Sequence, residues 1–298
     1  MRPPQLTPGA LGGKMTLTVK AAAPLAPVNG SNGNGPDSVS QLPELYQSVV
    51  FAPAVAPSVS VVVPAMNEED NIGWVLARIP SCASEVIVVD GYSTDRTVEV
   101  ARATLPDVVV VPQRGRGKGA ALRTGFERAT GDYIVALDAD GSMEPAEIEY
   151  YVAALQQGYD LVKGSRQLRS GGSLDLTLVR RFGNSALVGT VNLMWGSAFS
   201  DLCYGYFGLR RDKLGVLGLT SGGFEIETEI AVRAVEAGLR IAEVPSVELL
   251  RQHGMSHLNA WSDGWKIFRL LARERLPLPR RPLVDALDRR GLHLVAWP

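Results

Sequence analysis

Between residues 59 and 137 the chain repeats one pattern, an apolar run followed by a stretch with apolar residues at helical spacing. The runs are Val59-Ser60-Val61-Val62-Val63, Glu85-Val86-Ile87-Val88-Val89-Asp90, Val108-Val109-Val110-Val111 and Tyr133-Ile134-Val135-Ala136-Leu137. Runs of this length with so few polar interruptions are those of strands buried on both faces. After the first run, Ile72, Val75, Leu76 and Ile79 fall on one helical face, which predicts a strand ended by Pro64 and a helix beginning near Glu68. Thr94 or Asp95 can cap the next helix, and a Gly-rich turn at 115–119 opens a third. Buried strands alternating with amphipathic helices predict an α/β fold, a mostly parallel sheet with helices on both faces. Ligands of such sheets collect at the C-terminal ends of the strands.

The second half is less regular. Short strands are expected at 161–166, 207–210 and 241–244, the last of them taken as final, with helices over 176–195 and 224–237 and a Gly/Ser-rich loop at 170–173. Residues 1–50 are rich in Pro, Gly, Ala and Asn without a period and are expected to be disordered. That leaves a folded domain over 51–275 and a basic tail over 276–298.

Composition narrows the function. A net charge of -1 over 298 residues argues against bulk electrostatic binding of nucleic acid. The two cysteines, Cys82 and Cys203, fit no zinc or disulfide spacing, so a reduced, cytoplasmic setting is expected. No apolar run approaches the roughly 20 residues that span a bilayer. Any membrane contact is therefore expected to be peripheral, at the cytoplasmic face. The stretch 261–275 mixes Trp261, Trp265, Phe268 and Leu270 with Lys266, Arg269 and Arg273, as interfacial helices do, although it can equally cover the sheet. A homo-oligomer is compatible with all of this.

The candidate chemistry lies at the strand ends: Pro64-Ala65-Met66-Asn67-Glu68, Asp90-Gly91 and Asp138-Ala139-Asp140. Side chains two apart on a strand share a face, so both carboxylates of the last motif can address one ligand. Hard oxygen donors of this kind suit Mg²⁺ or Mn²⁺ shared with substrate phosphates. The plain alternative is a turn capping the next helix, and acidic groups at the other strand ends weigh against it. The turn Arg114-Gly115-Arg116-Gly117-Lys118-Gly119 is neither a Walker loop nor a dinucleotide fingerprint. It still sets Arg116 and Lys118 beside the amides of a helix N-terminus, which suits a diphosphate; a flexible basic turn is the alternative.

Taken together, Pro64-Ala65-Met66-Asn67-Glu68, Val89-Asp90-Gly91-Tyr92-Ser93-Thr94-Asp95, Gly117-Lys118-Gly119 and Asp138-Ala139-Asp140 resemble the family 2 nucleotide-sugar glycosyltransferases of GT-A fold, over about residues 57–275. The resemblance implies a nucleotide-sugar donor of the GDP-mannose or UDP-glucose type and a Mg²⁺ or Mn²⁺ cofactor. It implies that Pro64, Asn67, Glu68, Asp90, Lys118, Asp138 and Asp140 surround the donor, with Asp138 and Asp140 toward the metal and Asp140 as its principal ligand. Further on, Lys163-Gly164-Ser165-Arg166, Arg180-Arg181-Phe182-Gly183-Asn184, Phe224-Glu225-Ile226-Glu227 and Arg251-Gln252-His253 resemble the dolichol-phosphate mannosyltransferase branch. This implies a polyprenyl phosphate acceptor, with Arg166, Arg180, Arg181, Asn184, Arg251 and His253 at its phosphate. Such an acceptor is already ionised and needs no general base; Glu225, Glu227 or Asp201 are the candidates wherever a proton must be taken. Ser142 stands where the family often has Gln, and Leu202-Cys203-Tyr204 departs from its Thr/Gln-rich loop. A soluble or natural-product acceptor, and a non-catalytic scaffold built on the same fold, are the competing readings.

Overall fold

The computed structural model describes residues 56–174, 177–254, 260–275 and 295–296. The segments 1–50 and 276–294, and so the expectations of a disordered start and a basic tail, lie outside the described residues. The first half alternates as the pattern demands: β1 (Val59–Ala65), α1 (Ile72–Leu76), β2 (Glu85–Asp90), α2 (Thr97–Thr104), β3 (Val109–Pro112), α3 (Lys118–Arg128) and β4 (Tyr133–Ala136). After it come α4 (Ile148–Gln156), β5 (Leu161–Ser165), β6 (Gly172–Ser173), α5 (Leu178–Trp195), β7 (Phe207–Arg210) and α6 (Leu214–Leu217). The described chain closes with α7 (Ile226–Glu236), β8 (Ile241–Pro245), β9 (Val247–Glu248), α8 (Ala260–Arg275) and β10 (Val295–Ala296).

Among the described residues the main sheet runs β10-β8-β5-β7-β4-β1-β2-β3. All of its pairings are parallel except those of β7, which lies antiparallel between β4 and β5. The period of two along β1 divides the core. Val62 faces α3, α7 and α8 with Ile87, Val89, Leu122, Phe126, Ile230 and Leu271. Val61 and Val63 face the other way, toward α1, α2 and α4, with Ile72, Val75, Ile148 and Leu155. Helices thus cover both faces.

Three sequence expectations are corrected. Pro64 does not end β1, which continues to Ala65. Val62 O accepts from Leu137 N–H on the β4 side, so Pro64, two residues on, faces that same side beyond the last β4 residue and forfeits no ladder bond. The first helix is only Ile72–Leu76, because Pro80 pushes Ile79 out of helical geometry; Glu68 starts the preceding turn by accepting from the Asn71 and Ile72 amides. The strand at 241–245 is not the last, since β9 and β10 follow it.

The close seat of α3 on the sheet depends on Gly125. A Cβ there would meet the Val62 and Val89 side chains. Gly125→Ala is expected to destabilise the fold by about 1–3 kcal/mol through overpacking. A lowered urea midpoint at unchanged m would show it, and an unchanged midpoint would refute it.

Candidate functional site

The C-terminal rim of the sheet is built by the turns after β1, β2 and β4. After β1, Asn67 takes a left-handed conformation (φ 56°), and its Oδ1 accepts from Thr94 N–H at 2.8 Å. After β2, Asp90 Oδ1 accepts from Ser93 N–H at 3.1 Å, and Tyr92 is also left-handed (φ 64°). Two non-glycine residues at positive φ on facing turns are costly and cluster at functional sites. Neither expected cap holds the α2 N-cap position, which Arg96 occupies; Asp95, one residue earlier, accepts from Thr97 N–H, and Thr94 is tied to Asn67.

After β4, Asp138 and Asp140 diverge. Asp138 faces Lys118, whose Nζ lies 2.7 Å from Oδ1 and 2.8 Å from Oδ2. The same Nζ lies 2.7 Å from Glu227 Oε1 on α7 and 5.7 Å from the Phe224 ring centroid. Burial opposes the Lys118 charge, but Asp138 and Glu227 outweigh it and hold the ammonium above its ordinary value. Burial likewise raises the Asp138 carboxyl, with Asp140 and Glu227 adding to it against Lys118. The two carboxylates account for the Lys118 shift, whereas at Asp138 burial prevails over the cation. Asp140 is nearly buried; its Oδ1 accepts from Ser142 N–H at 3.0 Å, and its Oδ2 lies 2.8 Å from Arg251 Nη2. Glu68 completes the acidic rim. Burial raises its pKa, and the charges of Asp140 and Asp138 push the same way, while Asn71 Nδ2 donates to Oε2 at 2.7 Å.

The other predicted residues fall into distinct groups. Arg166 is buried and committed: Nε and Nη2 fork onto Asp201 at 2.7 and 3.0 Å, and Nη1 reaches Glu248 at 3.1 Å. It ties the end of β5 to Asp201 and to Glu248 on β9. Asn184 is buried on α5, where its Oδ1 accepts from the Leu202 and Cys203 amides and so shapes the 201–203 loop. Arg181 is exposed on α5 and Arg180 half-buried beside it. His253 is exposed, and its carbonyl accepts from Asn71 Nδ2 at 3.2 Å. Glu225 caps the start of α7, with Oε1 accepting from Gly223 N–H and Oε2 buried without a hydrogen-bond partner.

The Gly-rich turn departs most from expectation. Ala120 N–H, at the start of α3, donates to Gly222 O at 3.1 Å. A Cβ at Gly119 would come within 2.6 Å of Ser221 O. These glycines seat the turn against the 221–223 loop, and Lys118 points at the Asp138 and Glu227 carboxylates. Arg116 stays exposed.

The metal expectation can be weighed on donor chemistry. Among the described residues no group of three or more His, Cys, Asp and Glu side chains gathers to hold an ion. Mg²⁺ and Mn²⁺ bound beside a substrate need only one or two carboxylates, with phosphate oxygens and water supplying the rest. Asp140, hydrogen-bonded into position at the end of β4 beside Glu68, fits that demand. Asp138 fits less well, since both its oxygens face Lys118.

The model of the family "Glycosyl transferase family 2" matches residues 60–218. The chain belongs to this family. Glycosyltransferase AglJ of Haloferax volcanii is 34% identical over 221 residues, 72% of this chain and 71% of that protein. The dolichol-phosphate mannosyltransferase of Pyrococcus furiosus is 30% identical over 67% of this chain, which spans 59% of that protein. Glucosyl-3-phosphoglycerate synthase from Mycobacterium tuberculosis, crystallised with Mn²⁺, uridine diphosphate and phosphoglyceric acid, is 26% identical. It matches 75% of this chain and 80% of its own, with a TM-score of 0.60. The α/β architecture is therefore the GT-A fold, and this family 2 member is a nucleotide-sugar glycosyltransferase. The matched span holds Asp90, Asp138 and Asp140 but stops short of Arg251, which reaches the rim from the following segment.

Sequence reasoning did not find Asn71 or Glu248. Asn71 hooks Glu68 to the His253 backbone and Glu248 completes the Arg166 pair, across separations of 182 and 82 residues. No local pattern marks either.

Proposed function

We propose that this glycosyltransferase moves a hexosyl group from a nucleotide sugar of the GDP-mannose or UDP-glucose type to a polyprenyl phosphate. The observation that carries the reading is Asp140: a nearly buried carboxylate at the end of a central strand, paired to a cation from a neighbouring segment. That is where α/β sheets bind ligands. Asp140 would hold Mg²⁺ or Mn²⁺ with the donor diphosphate, Glu68 and Asp90 would face the nucleoside, and Asn67 would keep the two turns in register. A metal held there acts as a Lewis acid for the departing diphosphate. Arg251, the one predicted phosphate-binding arginine that the structure brings to this rim, stabilises negative charge on the phosphates. The acceptor phosphate is ionised at neutral pH, so it attacks the anomeric carbon directly and inverts it. Glu227, paired to Lys118, is a positioning residue in this scheme.

Two features support a lipid acceptor. One is the relative named for dolichol phosphate. The other is apolar surface: Phe182 and Leu193 on α5 are 78% and 87% exposed, and Trp265 and Phe268 on α8 stack on each other in the open. Ile267, Leu270 and Leu271 on the opposite face of α8 are buried. The helix thus covers the core and still presents aromatics beside exposed Arg269, a combination suited to visiting an anionic membrane surface. No helix among the described residues is long and apolar enough to cross a membrane. A soluble phosphorylated acid is the second reading, favoured by the solved neighbour that binds phosphoglyceric acid.

The test is a panel of GDP- and UDP-sugars with Mg²⁺ or Mn²⁺, offered short polyprenyl phosphates, phosphoglycerate or simple alcohols. A glycosylated lipid phosphate is expected. Transfer to phosphoglycerate or an alcohol, and never to a lipid phosphate, would reject the acceptor and keep the donor.

A further inference from the structure

The two carboxylates after β4 are each held by a cation of the chain itself, and the two cations are not equally free. Lys118 has a side chain only 11% exposed. Its neighbours Gly117 and Gly119 are pressed against the 221–223 backbone, and its Nζ is shared between Asp138 and Glu227. It cannot withdraw without opening that packing. Arg251 is 25% exposed and stands on a strap with exposed Gln252, His253 and Gly254 behind it. The strap is pinned on both sides of Arg251. Leu249 N–H donates to Ser142 O at 2.8 Å, and His253 O accepts from Asn71 at 3.2 Å. The guanidinium is therefore a tethered, movable cation on the one carboxylate oxygen that Ser142 leaves available.

We propose that Arg251 is an internal counter-ion that competes with the divalent metal for Asp140 and is displaced onto the donor diphosphate, which makes metal and nucleotide binding mutually dependent. This rests on Asp140 being the metal carboxylate. A divalent ion at Oδ2 would stand within a few ångströms of the guanidinium already held there, and the repulsion between the two cations weakens the hold of each on the carboxylate. Metal arriving alone therefore competes with Arg251 and leaves it beside an added double charge. A diphosphate changes the balance by offering the guanidinium a bidentate partner of opposite charge. Each ligand then improves the other's affinity by the same factor, as linkage requires. The device keeps the acidic rim of Glu68, Asp138 and Asp140 partly neutralised until a donor is present.

Mn²⁺ titrations of the full chain, read from the electron paramagnetic resonance of the free ion, test this without any turnover. With Mn²⁺ alone, Arg251→Met should bind about tenfold more tightly than the unaltered protein, and added UDP or GDP should strengthen its Mn²⁺ binding less. Arg251→Lys keeps the charge and should remain close to the unaltered protein, which a purely structural role for Arg251 would not produce. Asp140→Asn should lose the site. If Asp140→Asn loses Mn²⁺ while Arg251→Met binds it no more tightly than the unaltered protein, the competition is overturned and the metal carboxylate stands. If Asp140→Asn binds Mn²⁺ undiminished, both fall together.

Discussion

Asp140→Asn should reduce sugar transfer by roughly a thousandfold while leaving the fold within about 1 kcal/mol of the unaltered protein. The two halves of this result have separate causes. The amide oxygen can still accept the Ser142 N–H, so the turn after β4 keeps its Asx hydrogen bond. Arg251, partly exposed, can turn to solvent when its carboxylate is neutralised, so no buried charge is stranded. The chemistry has no such relief. Without the negative charge at this point of the rim, the cation that would offset the departing diphosphate loses its protein anchor, so metal affinity and the stabilisation of charge in the transition state fall together. Single-turnover transfer at saturating donor, beside a urea unfolding curve, separates the two effects. Activity within tenfold of the unaltered protein would remove Asp140 from the reaction.

Asp138→Asn is a useful contrast, because the two residues look interchangeable in the sequence and are not so in the structure. Asp138 balances half of the Lys118 charge, and its loss shifts that cation wholly to Glu227. Its substitution should therefore register first in stability and only second in metal affinity.

The first half of the fold was legible because its strands are central. A strand buried on both faces must be apolar throughout, and its helices must carry apolar residues at 3.6-residue spacing, so β1 to β4 announce themselves. β7 was legible as a strand but not as an antiparallel one, since a run as short as Phe207–Arg210 reads alike in either direction. The site divided along a similar line. Acidic strand ends follow from strand positions, so Asp90, Asp138 and Asp140 could be placed on one rim from the pattern alone. Charge partners do not follow from it. Lys118 finds Glu227 across 109 residues and Arg166 finds Asp201 across 35, through topology that no local period encodes. Two basic residues expected at phosphates thus stand as internal counter-ions, Lys118 at Asp138 and Glu227 and Arg166 at Asp201, while Arg251 pairs with Asp140.

Lys118→Met should destabilise the protein by about 3–5 kcal/mol, the cost of leaving buried carboxylates without their cation. For a domain of this size that is a fall in melting temperature of roughly 10 °C. The two carboxylates will not share the loss equally. Asp138 is 24% exposed and can recover some hydration, whereas Glu227 is 6% exposed, on a helix wedged against the glycine turn. Most of the penalty should therefore reside at Glu227. Adding Glu227→Gln to Lys118→Met should recover a large part of the stability, while Glu227→Gln alone costs less because Lys118 keeps Asp138. Non-additivity of that sign in thermal or urea unfolding is what a shared buried cation requires. Transfer should stay impaired in the double variant even where the fold recovers, because Asp138 no longer has Lys118 to hold it beside Asp140. A Lys118→Met variant that melts within about 2 °C of the unaltered protein would show that the network carries little of the fold's stability, and the roles of Asp138 and Glu227 would then have to be sought in the reaction alone.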